Sequence, residues 1–252
     1  MTALLPAVQP SDPPAAADFE VGYAAEDGAE RRVPLQEAWA VSFESCLPVR
    51  RFAARKGQRH LSGLWWSATT GGHVGFESWL ERDHVMLLDF DTSVVGIASQ
   101  PFWLRWSDDA GDPVAHAPDF FARCSDGSAL VLDCRPVERR RPRDVAKFDA
   151  TAKACALLGW QYRLVGAADP IRTVNVRWLA GYRHPRHRLR AAVDRLRSVF
   201  ATPTPLMDGA EAVGDPLAVL PVLFHLLWCG ELAVELSVPL HPAALVCGRV
   251  PG

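Results

Sequence analysis

Residues 116–136, HAPDFFARCSDGSALVLDCRP, predict a β-hairpin that carries two acidic residues into an otherwise apolar pair of strands. The Ser-Asp-Gly-Ser stretch at 125–128 supplies the turn. Asp119 stands at the start of the first strand, and Asp133 lies within the second. In an antiparallel hairpin these carboxylates can lie close together on one side. Arg135 is two residues beyond Asp133, so its side chain is expected on the same face.

Two acidic groups at one buried position predict a bound cation. Converging carboxylates repel each other, and burying them is unfavourable unless a positive charge lies between them. Mg²⁺ fits this position because it takes oxygen ligands and keeps several waters, and we expect Mn²⁺ to substitute for it. Such an ion can lower the pKa of a bound water that attacks a phosphodiester. Arg135 would stabilise the charge that develops on the phosphate.

Helices and strands around the hairpin predict an α/β fold. GFESWLERDHVMLLDFD (75–91) has the periodicity of a helix, with Glu77, Glu81 and His84 on one stripe. Glu77 is the expected third carboxylate, and the other two are interpreted as solvent-facing. Apolar strands follow the helix, and RDVAKFDATAKACALLG (143–159) predicts a second helix. The order indicates a sheet with helices packed on its faces.

Five segments of the sequence together carry a resemblance to a known family. FESWLERDHVMLLDFD, SQPFWLRW, APDFFAR, LVLDCRP and LGWQYRLVG resemble the TnsA family, the endonuclease subunit of heteromeric transposases, over roughly residues 35–185. The resemblance implies the PD-(D/E)xK nuclease fold, a restriction-endonuclease-like mixed sheet flanked by helices. It also implies a metal site formed by Glu77, Asp119 and Asp133, with Arg135 where the family has a catalytic lysine.

The arginine at the lysine position leaves alternatives open. Arginine keeps the charge but is bulkier, planar and always protonated, so Arg135 suits the phosphate better than a role in proton transfer. Lys147, on the following helix, could reach back to supply the missing amine. Asp133 and Arg135 could instead form an ion pair at a sheet edge. The chain could then be a catalytically decayed assembly subunit, and a third alternative is a stand-alone restriction or repair nuclease.

The chain divides into three predicted regions. Residues 1–32 are expected to be disordered, because prolines, alanines and acidic residues dominate them without apolar periodicity. Residues 33–182 form the predicted nuclease-like domain, and 186–252 a small helical, winged-helix-like domain. A predicted basic helix opens the last region and is the candidate surface for DNA or a protein partner; its arginines, with those just before it, are Arg186, Arg188, Arg190, Arg195 and Arg197.

Composition and the resemblance complete the expectations about partners and location. The 252 residues carry a net charge of −2, but residues 1–30 contain acidic side chains and no Lys or Arg, so the remainder is mildly basic. The six cysteines form no CxxC pair and are read as reduced thiols, and we expect a cytoplasmic protein without a secretory signal or membrane span. The resemblance implies double-stranded DNA at transposon ends and an integrase-type transposase subunit as partners, with an ATPase regulator as a further candidate.

Overall fold

The computed structural model describes residues 18–50 and 62–249, and the predictions made for residues 1–17, 51–61 and 250–252 lie outside this range. The described chain is a mixed α/β structure with several sheets. Its strands are β1 Glu20–Ala24, β2 Glu30–Pro34, β3 Gly63–Trp66, β4 His73–Phe76, β5 Val94–Ser99, β6 Trp103–Ser107, β7 Pro113–His116, β8 Phe120–Cys124, β9 Ala129–Cys134, β10 Gln161–Val165, β11 Thr204–Pro205, β12 Leu232–Val234 and β13 Leu245–Gly248. Its α-helices are α1 Trp79–Phe90, α2 Pro142–Leu157, α3 Pro170–Ala180, α4 Arg190–Val199, α5 Leu206–Val213 and α6 Pro216–Trp228.

The sheet that carries the acidic hairpin is mixed. Its strand order is β10-β9-β8-β5, in which β8 pairs antiparallel with both β5 and β9. Strands β8 and β9 form the predicted hairpin. Strand β10 pairs parallel with β9, and α2 makes the crossover between them, as a parallel connection requires.

Alternation along β9 and β10 separates the two faces of this sheet. Leu130 and Leu132 belong to the apolar cluster that also contains Val85 and Leu88 of α1. Val131 belongs to the cluster on the opposite face. Asp133 shares the face of Val131 because successive side chains of a strand point to opposite sides.

The prediction that residues 1–32 are disordered is wrong for the part that the structure describes from Glu20 onward. Strands β1 and β2 form an antiparallel hairpin, and β1 also pairs with β6 in a second sheet of order β2-β1-β6-β7. Phe19, Val21 and Tyr23 are buried in the core beneath it. Burial of this apolar side outweighs the acidic composition that favoured disorder.

Helix α1 is shorter than the predicted helix and begins after Glu77. Ser78 is its N-cap: the Ser78 hydroxyl accepts a hydrogen bond from the Glu81 N–H at 3.1 Å, and the Glu81 carboxylate accepts one from the Glu77 N–H at 2.7 Å. This reciprocal capping fixes the N-terminus of the helix at Ser78, so Glu77 lies in the connection from β4.

The C-terminal part contains α4, α5 and α6 with a small antiparallel sheet of order β11-β13-β12. Helix α5 was not predicted from the sequence. The apolar core of this part also takes Met86 from α1 and Val176 and Leu179 from α3. Its packing therefore extends N-terminal of residue 186. No helix in residues 18–50 and 62–249 is long and apolar enough to cross a membrane.

Candidate active site

A cavity of about 370 Å³ lies at the end of the acidic hairpin. All five of the predicted site residues line it: Glu77, Asp119, Asp133, Arg135 and Lys147. They come from the connection before α1, from both strands of the hairpin and its continuation, and from α2. The fold therefore brings together residues that are up to 70 positions apart in the sequence.

Asp119 sits directly before β8 and faces its acidic neighbours inside the cavity. Its Oδ2 atom accepts a hydrogen bond from the Cys134 N–H at 2.7 Å, which ties the start of β8 to the end of β9. Removal of the carboxyl from water raises its pKa well above the ordinary value, and the nearby charges of Asp133 and Glu81 raise it further. The cavity thus holds a carboxyl group that resists ionisation unless a positive charge arrives.

Asp133 is only 2% exposed and is held by two side chains. The His116 Nε2 atom lies 3.0 and 2.9 Å from its two carboxylate oxygens, and the Tyr162 hydroxyl donates to Oδ2 at 2.8 Å. Tyr162 reaches it because β10 runs parallel to β9, which places Tyr162 beside Val131 on the same face. Burial and the adjacent Asp133 charge raise the pKa of Tyr162, so its hydroxyl stays protonated as a donor.

The two glutamates at the start of α1 take different positions. Glu77 forms an ion pair with Arg50 at 2.7 Å. Glu81, which was interpreted as solvent-facing, instead lines the cavity, and burial raises its pKa. His84 is also buried rather than solvent-facing, with its Nε2 atom 2.8 Å from the Gly166 carbonyl oxygen. The Glu81 carboxylate is held at this end of α1 by the Glu77 N–H and the Ser78 hydroxyl.

The cationic side chains of the cavity divide into paired and unpaired groups. Arg50 pairs with Glu77, whereas neither Arg135 nor Lys147 forms an ion pair with any described residue. The backbone N–H of Arg135 donates to the Val165 carbonyl at 2.8 Å, so pairing with β10 fixes the backbone position of Arg135. Asp133 pairs with His116 rather than Arg135, which contradicts the alternative of an Asp133–Arg135 ion pair.

Sequence reasoning missed four of the polar residues that shape this cavity: Arg50, Glu81, His116 and Tyr162. Ser78 followed by Glu81 is a capping signature that could have placed the helix start. His116 lies inside the quoted hairpin stretch, but its contact with Asp133 depends on β7 leading back over the cavity. Nothing local marks Tyr162, because its contact depends on the parallel register of two strands.

A divalent cation needs several oxygen ligands around one point. Among the described residues, no group of three or more His, Cys, Asp or Glu side chains is arranged to hold a metal ion. The carboxylates are instead engaged by Arg50, His116, Tyr162 and backbone N–H groups. Their chemistry nevertheless fits a hard cation: the carboxylates line one cavity, and burial, followed by the charges of Asp133 and Glu81, raises the pKa of Asp119.

Comparisons with known proteins do not identify a family. No protein-family model matches this chain, and a search of curated proteins finds no similar sequence. The resemblance to the TnsA family therefore stays a prediction, and the residues of the cavity carry the functional argument.

Proposed function

We propose that the protein is a metal-dependent DNA endonuclease with a restriction-endonuclease-like fold, acting as the TnsA-like subunit of a heteromeric transposase. It would hydrolyse one DNA strand at transposon ends, while an integrase-type subunit processes the other strand and an ATPase regulates the assembly. One observation carries this proposal. The carboxylates and cations chosen from sequence alone, in three separate regions, line a single cavity.

The order of elements around the cavity supports the same proposal. Helix α1 packs on one face of the mixed sheet, and the sheet then continues through β5, β8 and β9 to the α2 crossover and β10. The acidic residues stand at the start of β8 and the end of β9. This is a mixed sheet flanked by helices with its carboxylates at one end, as the family resemblance implies.

Asp119 and Glu77 are the carboxylates that we assign to the Mg²⁺ ion, with Mn²⁺ as a substitute, whereas both oxygens of Glu81 are used by the Glu77 N–H and the Ser78 hydroxyl. When bound, the ion would supply positive charge and a water of lowered pKa for attack on a phosphodiester. The Arg50 ion pair engages Oε2 of Glu77, and a bound metal would compete with that contact. Asp133, originally expected as a ligand, has both oxygens engaged, and we assign it the role of orienting His116.

Arg135 and Lys147 are the groups that would meet the phosphate. Arg135 is exposed at the rim, and its guanidinium can donate two parallel hydrogen bonds to phosphate oxygens. Lys147 is partly buried on α2 and brings a compact charge deeper into the cavity. The family has one lysine at this position. Here Arg135 would stabilise the charge on the phosphate, and Lys147 would supply the amine.

The C-terminal part is the proposed contact region for DNA and the partner subunit. Its basic segment is less available than the sequence indicates, because Arg188 and Arg197 both pair with Glu231. Arg190 and Arg195 remain exposed and form no ion pair with a described residue, so they are the positions that we assign to DNA phosphates.

A decayed assembly subunit is the second candidate function. The engaged oxygens of Asp133 and the arginine at position 135 favour it. In that case the cavity would bind no divalent ion, and Arg50 would neutralise the carboxylates permanently. A stand-alone nuclease is the third candidate, and it differs from the first in acting without an integrase-type subunit.

The deciding experiment measures metal binding and DNA cleavage on the same preparations. We expect Mg²⁺ or Mn²⁺ to bind the wild-type chain in calorimetry and to support nicking of plasmid DNA when the partner subunit is present. Asp119→Ala should lose both activities. Asp149→Ala removes an exposed acid from α2 and is the matched control, which should behave as wild type. Absence of metal binding by the wild-type chain would establish the decayed subunit, and nicking without any partner would favour the stand-alone nuclease.

A further inference from the structure

A second cavity, of about 380 Å³, shares Trp103 with the carboxylate cavity and is lined by residues of β1, β2 and β6 and by Pro48 and Val49. Trp103 lines both cavities and separates them. The second cavity is also lined by Arg31, Arg32 and Arg105, and Glu30 is the acidic residue in its lining. We refer to it as the Arg105 cavity.

Arg105 has an unsatisfied guanidinium. Its Nη1 atom is buried and has no hydrogen-bond partner, and the side chain forms no ion pair with a described residue. Leaving a buried charged donor unpaired costs more than leaving a neutral one, by an amount on the order of 1–3 kcal/mol or above. Such a buried, unpaired donor requires a structural explanation.

The sequence makes room for this guanidinium. Gly22 lies in β1 directly opposite Trp103, and a Cβ atom at position 22 would lie 2.2 Å from Arg105 Nη1. Any larger residue would therefore push the Arg105 side chain out of its place. The absence of a side chain at position 22 is what lets Arg105 cross β1 and face the cavity.

The Arg105 cavity is also connected to the carboxylates through the backbone. The Val49 N–H donates to the Gln100 carbonyl at 2.9 Å, and the Gln100 N–H donates to the Asp119 carbonyl at 2.9 Å. Val49 lines the Arg105 cavity, while the next residue, Arg50, lines the carboxylate cavity. Gln100 adopts a φ of 47°, a left-handed conformation that is uncommon for a residue with a side chain.

We infer that the Arg105 cavity is a phosphate-binding subsite that holds a phosphodiester of the DNA strand entering the carboxylate cavity. This inference rests on the proposed function for its DNA ligand. The Arg105 guanidinium, which lines the cavity, donates to a phosphate oxygen, and Trp103 offers an aromatic surface to the nucleotide between the two cavities. Arg31 and Arg32 hold only exposed acids, Asp27 and Glu20, and such surface pairs exchange readily for a phosphate.

Anisotropy titrations of a labelled DNA duplex in EDTA test the subsite without any cleavage. Arg105→Met keeps the apolar stem of the side chain and removes the charge. We expect it to bind DNA about tenfold more weakly, with a salt slope smaller by about 1, because one phosphate contact is lost. Gly22→Ala keeps every charge but displaces the guanidinium, and it should weaken binding in the same direction. Thermal unfolding identifies which variants are folded. One folded variant, Arg105→Met or Gly22→Ala, is enough to test the subsite.

Arg163→Met is the matched control, because Arg163 is an exposed arginine that lines a different cavity. It should leave the affinity within about twofold of wild type. Wild-type affinity and an unchanged salt slope in folded Arg105→Met or folded Gly22→Ala would overturn the subsite. Inorganic phosphate or polyglutamate that binds wild type and competes fully with DNA at equal charge concentration would overturn its assignment to a DNA strand.

The subsite and the nuclease can fail separately. Plasmid nicking in Mg²⁺ by wild type, together with undiminished DNA binding by Arg105→Met, would leave the endonuclease standing and remove the subsite. Arg105-dependent DNA binding without nicking would keep the subsite as part of a DNA-binding subunit and remove the endonuclease.

Discussion

The carboxylate cavity and the apolar core around α6 show opposite uses of burial. Val222, Leu223 and Leu226 of α6 are fully buried among other apolar side chains, so their removal from water stabilises the fold. The carboxylate cavity places Asp119 and Asp133 in the interior, where burial opposes their charge. The apolar core raises the free energy of unfolding, whereas the buried carboxylates lower it.

The largest expected effect breaks the apolar side of this comparison. Leu223→Ala should lower the free energy of unfolding by ~2–5 kcal/mol, because it removes buried methyl groups and leaves a void. Denaturant unfolding measures the change. Leu217→Ala on the same helix is the control, since Leu217 is 86% exposed and should lose less than about 0.5 kcal/mol. Equal losses in the two variants would contradict the burial assigned to α6.

A smaller effect is expected where the cavity holds its own acid. Tyr162→Phe removes the hydroxyl that donates to Asp133 Oδ2 and should destabilise the fold by ~1–3 kcal/mol at neutral pH, because a buried carboxylate loses a donor. The measurement is thermal or denaturant unfolding. Tyr182→Phe removes a hydroxyl that makes no side-chain hydrogen bond with a described residue and should have little effect. Stability unchanged by both substitutions would show that Asp133 does not depend on Tyr162.

The smallest and opposite effect sharpens the comparison. Burial and neighbouring acids hold the pKa of Asp119 above its unfolded value, so its contribution to stability is full at acid pH and is lost as pH rises through the folded pKa. In EDTA, Asp119→Asn should therefore raise the unfolding temperature by about 2–4 °C at pH 8 and bring no gain near pH 4. It should also abolish metal-dependent nicking. A loss of stability at pH 8 would contradict the repulsion described for the cavity.

Local patterns predicted the acidic hairpin and its neighbours. Alternation and the 125–128 turn place β8 and β9, and the order of the next helix and strand gives the α2 crossover. Asp119 and Asp133 could therefore be predicted to share one site from the sequence. Lys147 was an alternative that rested on the family resemblance, and it lines the cavity.

Composition and long-range pairing explain the failures. Asp27 and Gly28, where Gly28 has a φ of 81°, form the turn of the β1–β2 hairpin, but the acidic excess of the N-terminal segment hid that signal. Glu81 was interpreted as solvent-facing because its carboxylate caps the start of α1, a contact that helical periodicity does not indicate. His116 and Tyr162 reach Asp133 through β7 and the parallel β10, and neither register can be read from a single segment.

Helix α1 contributes to both halves of the molecule at once. Val85 and Leu88 pack under the mixed sheet, while Met86 belongs to the C-terminal core. A truncation in the 181–189 connection would therefore expose apolar side chains of α1 on the remaining fragment. We expect that fragment to self-associate. The shared helix joins the two halves into one folding unit. Crystallisation or redesign of either half therefore requires the intact chain.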